Sequence, residues 1–392
     1  MPPSQYAWCD LTSSLTWLDF SDAERRRALQ VVELFAVHET RDELGLGAIR
    51  DALAEAMFPG VSTVQRRARY FLFVPWIFKA AESKGGDVLG RSRKAELALI
   101  GALAEAGETD GVIGGRAGTQ LKQLPSMIYW QGLERWGIRR RRGTREQWAR
   151  STRRHEATDD GDRLGPLSWW HDNLVDPPED FPQCASLLLT RAEAQYLAER
   201  VVTFCPGTLL AWLVARGVPW QHVDFAWEMP MRGELSDAHA RQVDHAQRFS
   251  ETMNGAALLY NLMLAEETEE DDLRAGYEQD LVTWRALAGH DWDVADFWTL
   301  MAELGSRHDA RARRFVDKWI EIVRSWADPR GSSAARELVR SREHEVKRRY
   351  ARLSYESARD TWRGAAGARQ LDFRWGSAQR QVLDVVRGIG AA

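Results

Sequence analysis

The feature that most constrains the fold of this chain is a run of nine almost wholly apolar residues at positions 70–78, directly after an arginine-rich segment. A helix over this run has no polar face, so it must be buried on every side. Pro75 should bend it. An amphipathic helix is predicted just before it, from residue 46 or 47 to residue 57, and Pro59 and Gly60 end that helix. The two helices predict a hairpin within a helical core.

The predicted second helix opens with polar and basic residues. Ser62 is a natural N-cap, so the helix should begin at Thr63. Two helices joined by a turn of about four residues, the second opening with Thr, Gln and Arg, have the outline of a helix-turn-helix. On this interpretation one stripe contacts phosphates or base edges, and it consists of Ser62, Gln65, Arg66 and Arg69. A core hairpin with internally paired arginines is favoured over it, because recognition helices are rarely followed by so much buried aromatic surface. The acids available for that pairing are Asp42, Glu43 and Asp51.

The most basic stretch of the chain lies at residues 139–154, where eight arginines accompany one glutamate. Clustered arginines are suited to phosphate contacts, although a solvated linker has the same composition. The arginines predicted to bind nucleic acid here are Arg139, Arg140, Arg141, Arg142, Arg145, Arg150, Arg153 and Arg154. Acidic and proline-rich residues follow as far as residue 183, so the stretch is predicted to be an exposed connector. The predicted domains are therefore residues 1–138, a connector at 139–183, and residues 184–392.

Helical periodicity dominates the rest of the sequence. The predicted fold class is mainly all-α: a multi-helix protein with an N-terminal helix-turn-helix-like hairpin, a basic connector and a C-terminal helical bundle. The best short strand candidate is residues 185–189. The further helices are predicted at residues 91–106, 191–204, 207–216, 237–266, 294–304, 309–326, 333–362 and 377–388.

Composition and charge limit the functions that the chain can have. Its net charge is −4, which removes the simplest argument for nucleic-acid binding, a globally basic domain, and leaves local patches open. Of the 53 basic residues 47 are arginines, a bias that suits phosphate recognition and that a GC-rich genome also produces. Three cysteines without metal-ligand spacing, no signal peptide and no apolar run long enough to span a membrane predict a cytoplasmic protein.

Two local patterns could support a bound ion. The i,i+4 pairs His38/Asp42 and Glu39/Glu43 could hold a divalent cation on a helix, but a third ligand is not defined. The glycine-rich residues 111–118 precede a predicted helix, as phosphate loops do. They lack the lysine of the nucleotide-hydrolase loop, so a turn that docks residues 121–136 on the core is favoured. The sequence therefore predicts no metal and no cofactor.

Catalytic motifs are weaker still. An arginine five to seven residues before a histidine resembles the spacing of some helical ribonucleases, but nine histidines in an arginine-rich chain are expected to give several such pairs by chance. The pairs are Arg150/His155, Arg216/His222, Arg232/His239 and Arg285/His290. Motifs of zinc and serine hydrolases are absent from the sequence, and the catalytic residues stay unknown.

Several long motifs in order resemble an uncharacterised bacterial family over residues 15–388. They are TWLDFS, TRDELGLGAIRD, FPGVSTVQRRARYFLFVPW, GVIGGRAGTQLKQLPSMIYWQGLERWGI, FSETMNGAALLYNLMLAE and LDFRWGSAQRQVLDVV. The resemblance implies a component of a multigene anti-phage defence system, whose neighbouring genes encode helicase or nuclease-like protein partners. It brings no catalytic residues with it. The resulting hypothesis is a non-catalytic protein that binds DNA, a partner effector or both; the alternatives are a nuclease or nucleotide-acting hydrolase and a purely structural adaptor.

Overall fold

The protein is mainly helical, as the sequence predicts. A computed structural model describes residues 42–115, 123–157, 168–183, 185–287, 291–325 and 328–390. In these ranges every extended regular element is a helix, and residues 185–189, the best short strand candidate, form no strand. An isolated bridge pairs Arg139 with Trp170. In the same ranges, no helix combines the length and apolar character that a membrane crossing requires.

The helices fall on both sides of the basic stretch, and their buried residues form one continuous core. The first five are α1 (Gly47–Met57), α2 (Tyr70–Ser83), α3 (Val88–Glu105), α4 (Pro125–Arg135) and α5 (Arg145–Ala157). The others are α6 (Arg191–Phe204), α7 (Leu209–Arg216), α8 (Asp237–Glu267), α9 (Asp271–Leu287), α10 (Val294–Glu303), α11 (Ala310–Arg324), α12 (Ser333–Lys347), α13 (Glu356–Arg359) and α14 (Trp375–Gly390). The domain boundaries stay a prediction.

Helix α2 is the centre of the first half of the chain. All of residues 70–78 are buried, which confirms the prediction from their apolar sequence. The Phe71 ring stacks on the Trp136 ring with centroids 3.8 Å apart, and Trp76 Nε1 donates to the Val175 carbonyl at 2.5 Å. Because the indole N–H finds an acceptor, a large aromatic side chain can be buried here without leaving a donor unpaired. Pro75 lies inside the helix.

Helix α8 organises the second half. It is 31 residues long, and the Ser236 side chain caps it by accepting from the His239 amide. Helix α9 packs against it so closely that a Cβ at Gly255 would lie 2.2 Å from the Trp284 ring. A side chain there would displace the indole, so glycine is required for this approach. The long period-3.6 pattern therefore predicts the helix well, while the glycine sets the distance to its neighbour.

The predicted helix start at Thr63 was wrong, because α2 begins at Tyr70 and residues 62–69 form an irregular turn. Side chains from other elements satisfy the backbone of this turn. Asp384 on α14 accepts from the Ala68 amide at 3.0 Å, and the Tyr129 hydroxyl on α4 accepts from the Arg66 amide at 2.8 Å. With those donors already paired, the backbone gains less from forming another helical turn. Gln65, Arg66 and Arg69 therefore precede α2 and do not lie on one face of a second helix, as the helix-turn-helix interpretation requires.

Two other predictions were also wrong. Residues 139–183 are not uniformly exposed, because Arg139, Trp148 and Trp170 are buried and α5 lies within the stretch. The helix predicted at residues 333–362 instead ends at Lys347, where Arg348 adopts a left-handed φ of +52°. A left-handed residue breaks the hydrogen-bond ladder, so the chain turns away there.

Candidate functional site

A large open cleft of about 2320 Å³ lies on the described part of the chain. Its lining comes from α1 at residues 47–55, the turn at residues 60–66, one face of α4, residues 137–142, the end of α6, and the segment at 369–380. Pockets for small ligands usually enclose about 300–1000 Å³. The cleft is more than twice that size, so its dimensions favour an extended ligand over a single small molecule.

Arginine dominates the charge of this cleft. Ten arginines line it against seven carboxylates, whereas the whole chain carries a net charge of −4. The lining arginines are Arg50, Arg66, Arg135, Arg139, Arg140, Arg142, Arg200, Arg369, Arg374 and Arg380. The acidic residues are Asp42, Asp51, Glu55, Glu134, Asp172, Asp224 and Asp372. The cleft is therefore a local positive region on an acidic protein, which is the distribution that attracts an anionic ligand.

One wall of the cleft holds two consecutive residues in a strained conformation. Phe373 and Arg374 have left-handed φ angles of +50° and +70°. The Arg374 guanidinium donates to Glu55 at 3.1 Å and to the Val61 carbonyl at 2.9 Å, so it ties the wall to α1 and to the following turn. Non-glycine residues held in this region cost about 1–3 kcal/mol each and cluster at functional sites. The strained backbone therefore marks this wall of the cleft as a candidate functional region.

The turn at residues 62–69 contributes one exposed arginine to the cleft. Arg66 is exposed and lines it, and the Ser62 hydroxyl also lies there without a partner among the described residues. Gln65 also lines the cleft, but only 2% of it is exposed, and its side-chain amide donates to the Gly60 carbonyl. Arg69 is buried and pairs with Glu193 at 2.6 Å. The predicted stripe of Ser62, Gln65, Arg66 and Arg69 therefore reduces to Arg66 as an exposed cation.

Of the partners predicted for the arginines of the core hairpin, Asp51 pairs with Arg50 at 3.1 Å, but the prediction was wrong for Arg67 and Arg69. Arg67 pairs with Asp384 at 2.9 Å, and Arg69 pairs with Glu193. Both acidic partners lie more than 100 residues away in the sequence, on the C-terminal side of the basic stretch. The acids near the hairpin in sequence are therefore not the ones that neutralise these two arginines.

The basic stretch divides between the cleft, the core and other surfaces. Arg140 and Arg142 are exposed and line the cleft. Arg139 is buried against the Trp130 ring and pairs with Glu134, so its guanidinium is not exposed for a phosphate contact. Burial lowers the pKa of Arg139, and Glu134 opposes that shift.

The remaining predicted arginines lie outside the cleft lining or cannot be placed. The Arg141 guanidinium lies over the Trp169 ring, and Arg145 donates to the Ser126 hydroxyl at 3.1 Å. Arg150 is exposed on α5. The side chains of Arg153 and Arg154 lie outside the described residues, although their backbone belongs to α5.

Three exposed arginines are the least neutralised cations of the cleft. Arg66 and Arg369 have no carboxylate partner within the described ranges. Arg142 is 95% exposed at its side chain and lies 3.6 Å from Glu134, which also pairs with Arg139. These three residues come from the turn, the basic stretch and the C-terminal segment. Sequence reasoning missed Arg369 because it lies about 300 residues from Arg66, and only folding brings the two to one surface.

The end of α6 adds an aromatic ring and a further cluster of basic groups. Phe204 is 46% exposed in the cleft, and the Arg200 guanidinium lies 5.1 Å from the centre of its ring. His171 lines the same end, where burial and then the charge of Arg200 lower its pKa. Sequence reasoning also missed Arg200 and Phe204. Their i,i+4 spacing on a predicted helix was a signal that they share a face.

The alternative ion sites gain no support from the described residues. Asp42 accepts from the amides of Leu46 and Gly47 at the start of α1, and Glu43 pairs with Arg352 at 2.9 Å. His38 and Glu39 lie outside the described residues, as does the side chain of His155. Among the residues that are described, no group of three or more His, Cys, Asp or Glu has metal-binding geometry.

The described part of the glycine-rich loop is docked on the core. Residues 116–118 of the loop lie outside the described residues. Ile113 is buried, and its amide donates to the Tyr70 hydroxyl at 3.0 Å. This contact agrees with the interpretation of the loop as a packing turn.

Cys205 is buried as well, and burial raises the pKa of its thiol to about 11, which makes it a poor nucleophile at neutral pH.

Comparison with known proteins identifies the family but no characterised relative. No curated protein and no solved structure shows a significant match to the chain. A family model described as "Family of unknown function (DUF6361)" matches residues 12–388. The match covers nearly the whole chain and includes all the elements that line the cleft. The chain therefore belongs to the DUF6361 family.

Proposed function

We propose that the protein is a cytoplasmic, non-catalytic component of a bacterial multigene anti-phage system, and that it binds DNA in the arginine-rich cleft. The observation that carries the DNA-binding proposal is the excess of arginine over carboxylate in a large open cleft of an acidic protein. The assignment to defence rests on the motif resemblance described above. A helicase or nuclease encoded nearby would be the partner that acts on the bound DNA.

The type of cation in the cleft supports a phosphate ligand. The guanidinium group presents a planar fork of donors that matches phosphate geometry, and it stays charged at every physiological pH. Arg66, Arg142 and Arg369 present such groups without a strong carboxylate partner among the described residues. Other arginines, such as Arg67, Arg69 and Arg336, are already neutralised by a carboxylate of the fold. A polyanion that enters the cleft would therefore meet cations that are not satisfied by the fold itself.

The test is a titration of labelled duplex DNA with the purified protein, followed by fluorescence anisotropy at several salt concentrations. The logarithm of the binding constant is expected to fall linearly with the logarithm of salt concentration, because bound arginines release counterions. The variant R66E/R142E/R369E is expected to bind more weakly at every salt concentration. Its salt slope should decrease by about 0.9 for each phosphate contact that is lost.

A matched control variant distinguishes the effect of the cleft arginines on binding from the effect of the changed net charge. Arg307, Arg311 and Arg314 are exposed, lie outside the cleft lining and have no carboxylate partner within the described ranges. The variant R307E/R311E/R314E changes the net charge by the same amount and is expected to keep most of the affinity. Equal loss in both variants would show that binding depends on overall charge and would refute the cleft as the interface.

The same measurements distinguish the two alternatives. A nuclease or nucleotide-acting hydrolase would turn over its substrate when divalent metal is added, so product formation would refute the non-catalytic assignment. A structural adaptor would show no affinity for DNA even at low salt. In that case the cleft would be free to accept an acidic surface of a partner protein.

A further inference from the structure

Phe204 is an unusual residue for the wall of a charged cleft. It is the last residue of α6 and one of the large apolar side chains that remain exposed, at 46%. Arg200 precedes it by four residues, so α6 places the two side chains on neighbouring turns at this end of the cleft. Arginines recognise the phosphates of a nucleic acid, but a phosphate gains nothing from an aromatic ring. Phosphate recognition alone therefore gives no reason for the exposure of Phe204.

The ring is held in position from the side of residues 137–142. Gly137 has φ +64°, and a Cβ built on it would lie 2.4–2.5 Å from three atoms of the Phe204 ring. Any other residue at position 137 would therefore displace the ring as well as strain the backbone. The contact leaves Phe204 supported by a main-chain surface while nearly half of the residue faces the cleft.

A guanidinium group lies beside the supported ring. Arg200 is buried, its guanidinium lies 5.1 Å from the ring centre, and its Nε has no hydrogen-bond partner in the part of the chain that is described. Its Nη2 pairs with Glu199 at 3.1 Å. Arg140 and His171 line the cleft at the same end, where both are near enough to Asp172 to interact with it. Arg200 therefore contributes positive charge beside the ring, while the exposed Arg140 is the cation that a ligand can reach.

We infer that this end of the cleft is a site for single-stranded nucleic acid, with one base stacked on Phe204 and the adjoining phosphate held by Arg140, whose side chain is 41% exposed. The inference rests on the proposed nucleic-acid binding and specifies the form of the ligand. In a duplex the base faces are covered by neighbouring base pairs, whereas a single strand can place a base on an aromatic ring. Positive grooves with aromatic platforms are the usual design of single-strand binding proteins.

The experiment compares a labelled 20-residue thymidine oligonucleotide with a duplex of the same length, using wild type, F204L and F204W. The leucine side chain of F204L keeps an apolar contact with Gly137 but has no π-face, so the variant tests stacking without leaving a large cavity. Base stacking on an aromatic residue contributes enough that F204L is expected to weaken single-strand binding by roughly 5- to 150-fold. Duplex binding is expected to change much less, and F204W is expected to restore single-strand affinity.

Tyr355 provides the aromatic control. It is 42% exposed and lies outside the cleft lining, so Y355L should leave both affinities unchanged. Wild-type affinity of F204L for the single strand would overturn the inference, and so would an equal loss of single-strand and duplex binding. Those results leave the proposed function intact if R66E/R142E/R369E still weakens binding. Failure of the proposed function has a separate signature, because neither nucleic acid would then bind wild type at low salt.

Discussion

Arg69 and Arg66 lie three residues apart in the same turn, yet they have opposite environments. Arg69 is buried and forms a 2.6 Å ion pair with Glu193, and its guanidinium also donates to the Ser186 carbonyl. Arg66 is exposed in the cleft and has no carboxylate partner among the described residues. The first arginine joins the turn to α6 and the segment before it, while the second remains available to a ligand.

This contrast shows why an arginine cluster in a sequence is a weak guide to a binding site. Whether a guanidinium can bind phosphate depends on the carboxylates that folding brings to it, and here those carboxylates come from distant helices. Asp384 neutralises Arg67 from α14, and Glu193 neutralises Arg69 from α6. The binding surface can be recognised only from the arginines that remain without a carboxylate partner after folding.

The largest expected effect is on the free energy of unfolding, and it tests the structural role of the buried arginine, Arg69. Replacing Arg69 with methionine should lower the free energy of unfolding by about 3–5 kcal/mol, because it leaves the buried Glu193 charge unpaired. Urea denaturation followed by circular dichroism would measure this change. Replacing Arg66 with methionine is expected to change it by less than about 0.5 kcal/mol, since exposed residues without partners contribute little.

A double variant gives the control for that prediction. Converting both Arg69 and Glu193 to methionine removes the two charges together and should recover part of the lost stability. The recovery is incomplete, because the Glu193 carboxylate also accepts from the Thr190 amide in the capping box of α6. If R69M alone were as stable as wild type, the ion pair would have no structural role.

The second effect concerns a buried carboxylate that lacks such a close arginine. Glu96 accepts from the amide and hydroxyl of Ser126, and burial raises its pKa from 4.5 to about 7. The folded state therefore holds this proton more tightly than the unfolded state does. Stability is expected to fall as pH rises from 4.5 through 7, by about 3 kcal/mol for this group.

The measurement is the urea midpoint of wild type and E96Q at pH 5 and at pH 8. The glutamine is neutral at both values, so E96Q should lose the part of the pH dependence that Glu96 contributes. The difference in unfolding free energy between the two proteins should therefore change with pH, in the direction that favours wild type at pH 5. A difference that is constant with pH would show that Glu96 does not titrate in this range.

The smallest expected effect lies on the cleft side. Asp172 pairs with Arg140 at 2.5 Å, and both side chains are substantially exposed at 68% and 41%. D172N should release Arg140 and remove one negative charge, so DNA affinity is expected to rise a few-fold at low salt. Exposed pairs contribute about 0–1 kcal/mol, and stability should change little. Anisotropy titrations of D172N beside wild type would detect this, and a weaker affinity would contradict it.

The sequence predicted the helical fold better than the site, for a physical reason. Helix α6 was predicted at residues 191–204 and has those bounds, because its capping box and its periodicity are both local signals. The start of α2 could not be predicted in the same way. Its preceding turn is held by Asp384 and Tyr129, which are far away in the sequence and give no local signal.

The site was predicted only where an exposed arginine happened to fall in a basic segment. Arg66, Arg140 and Arg142 line the cleft as part of the two predicted segments, whereas Arg139 is buried between Trp130 and Glu134. Arg369 lies in no basic run, and tertiary structure alone places it on the cleft. Local composition could therefore suggest that phosphate binding exists, but it could not select the residues.

The contacts of Arg374 have a consequence for folding during translation. Its guanidinium joins the cleft wall to residues 313 and 319 positions earlier in the chain. The wall therefore cannot form until almost the whole sequence has left the ribosome. We expect chains stalled before residue 371 to lack the affinity of the released protein for nucleic acid, which oligonucleotide binding to purified stalled complexes would test. During most of its own translation the growing protein would then be unable to capture the nearest polyanion, which is the messenger RNA that encodes it.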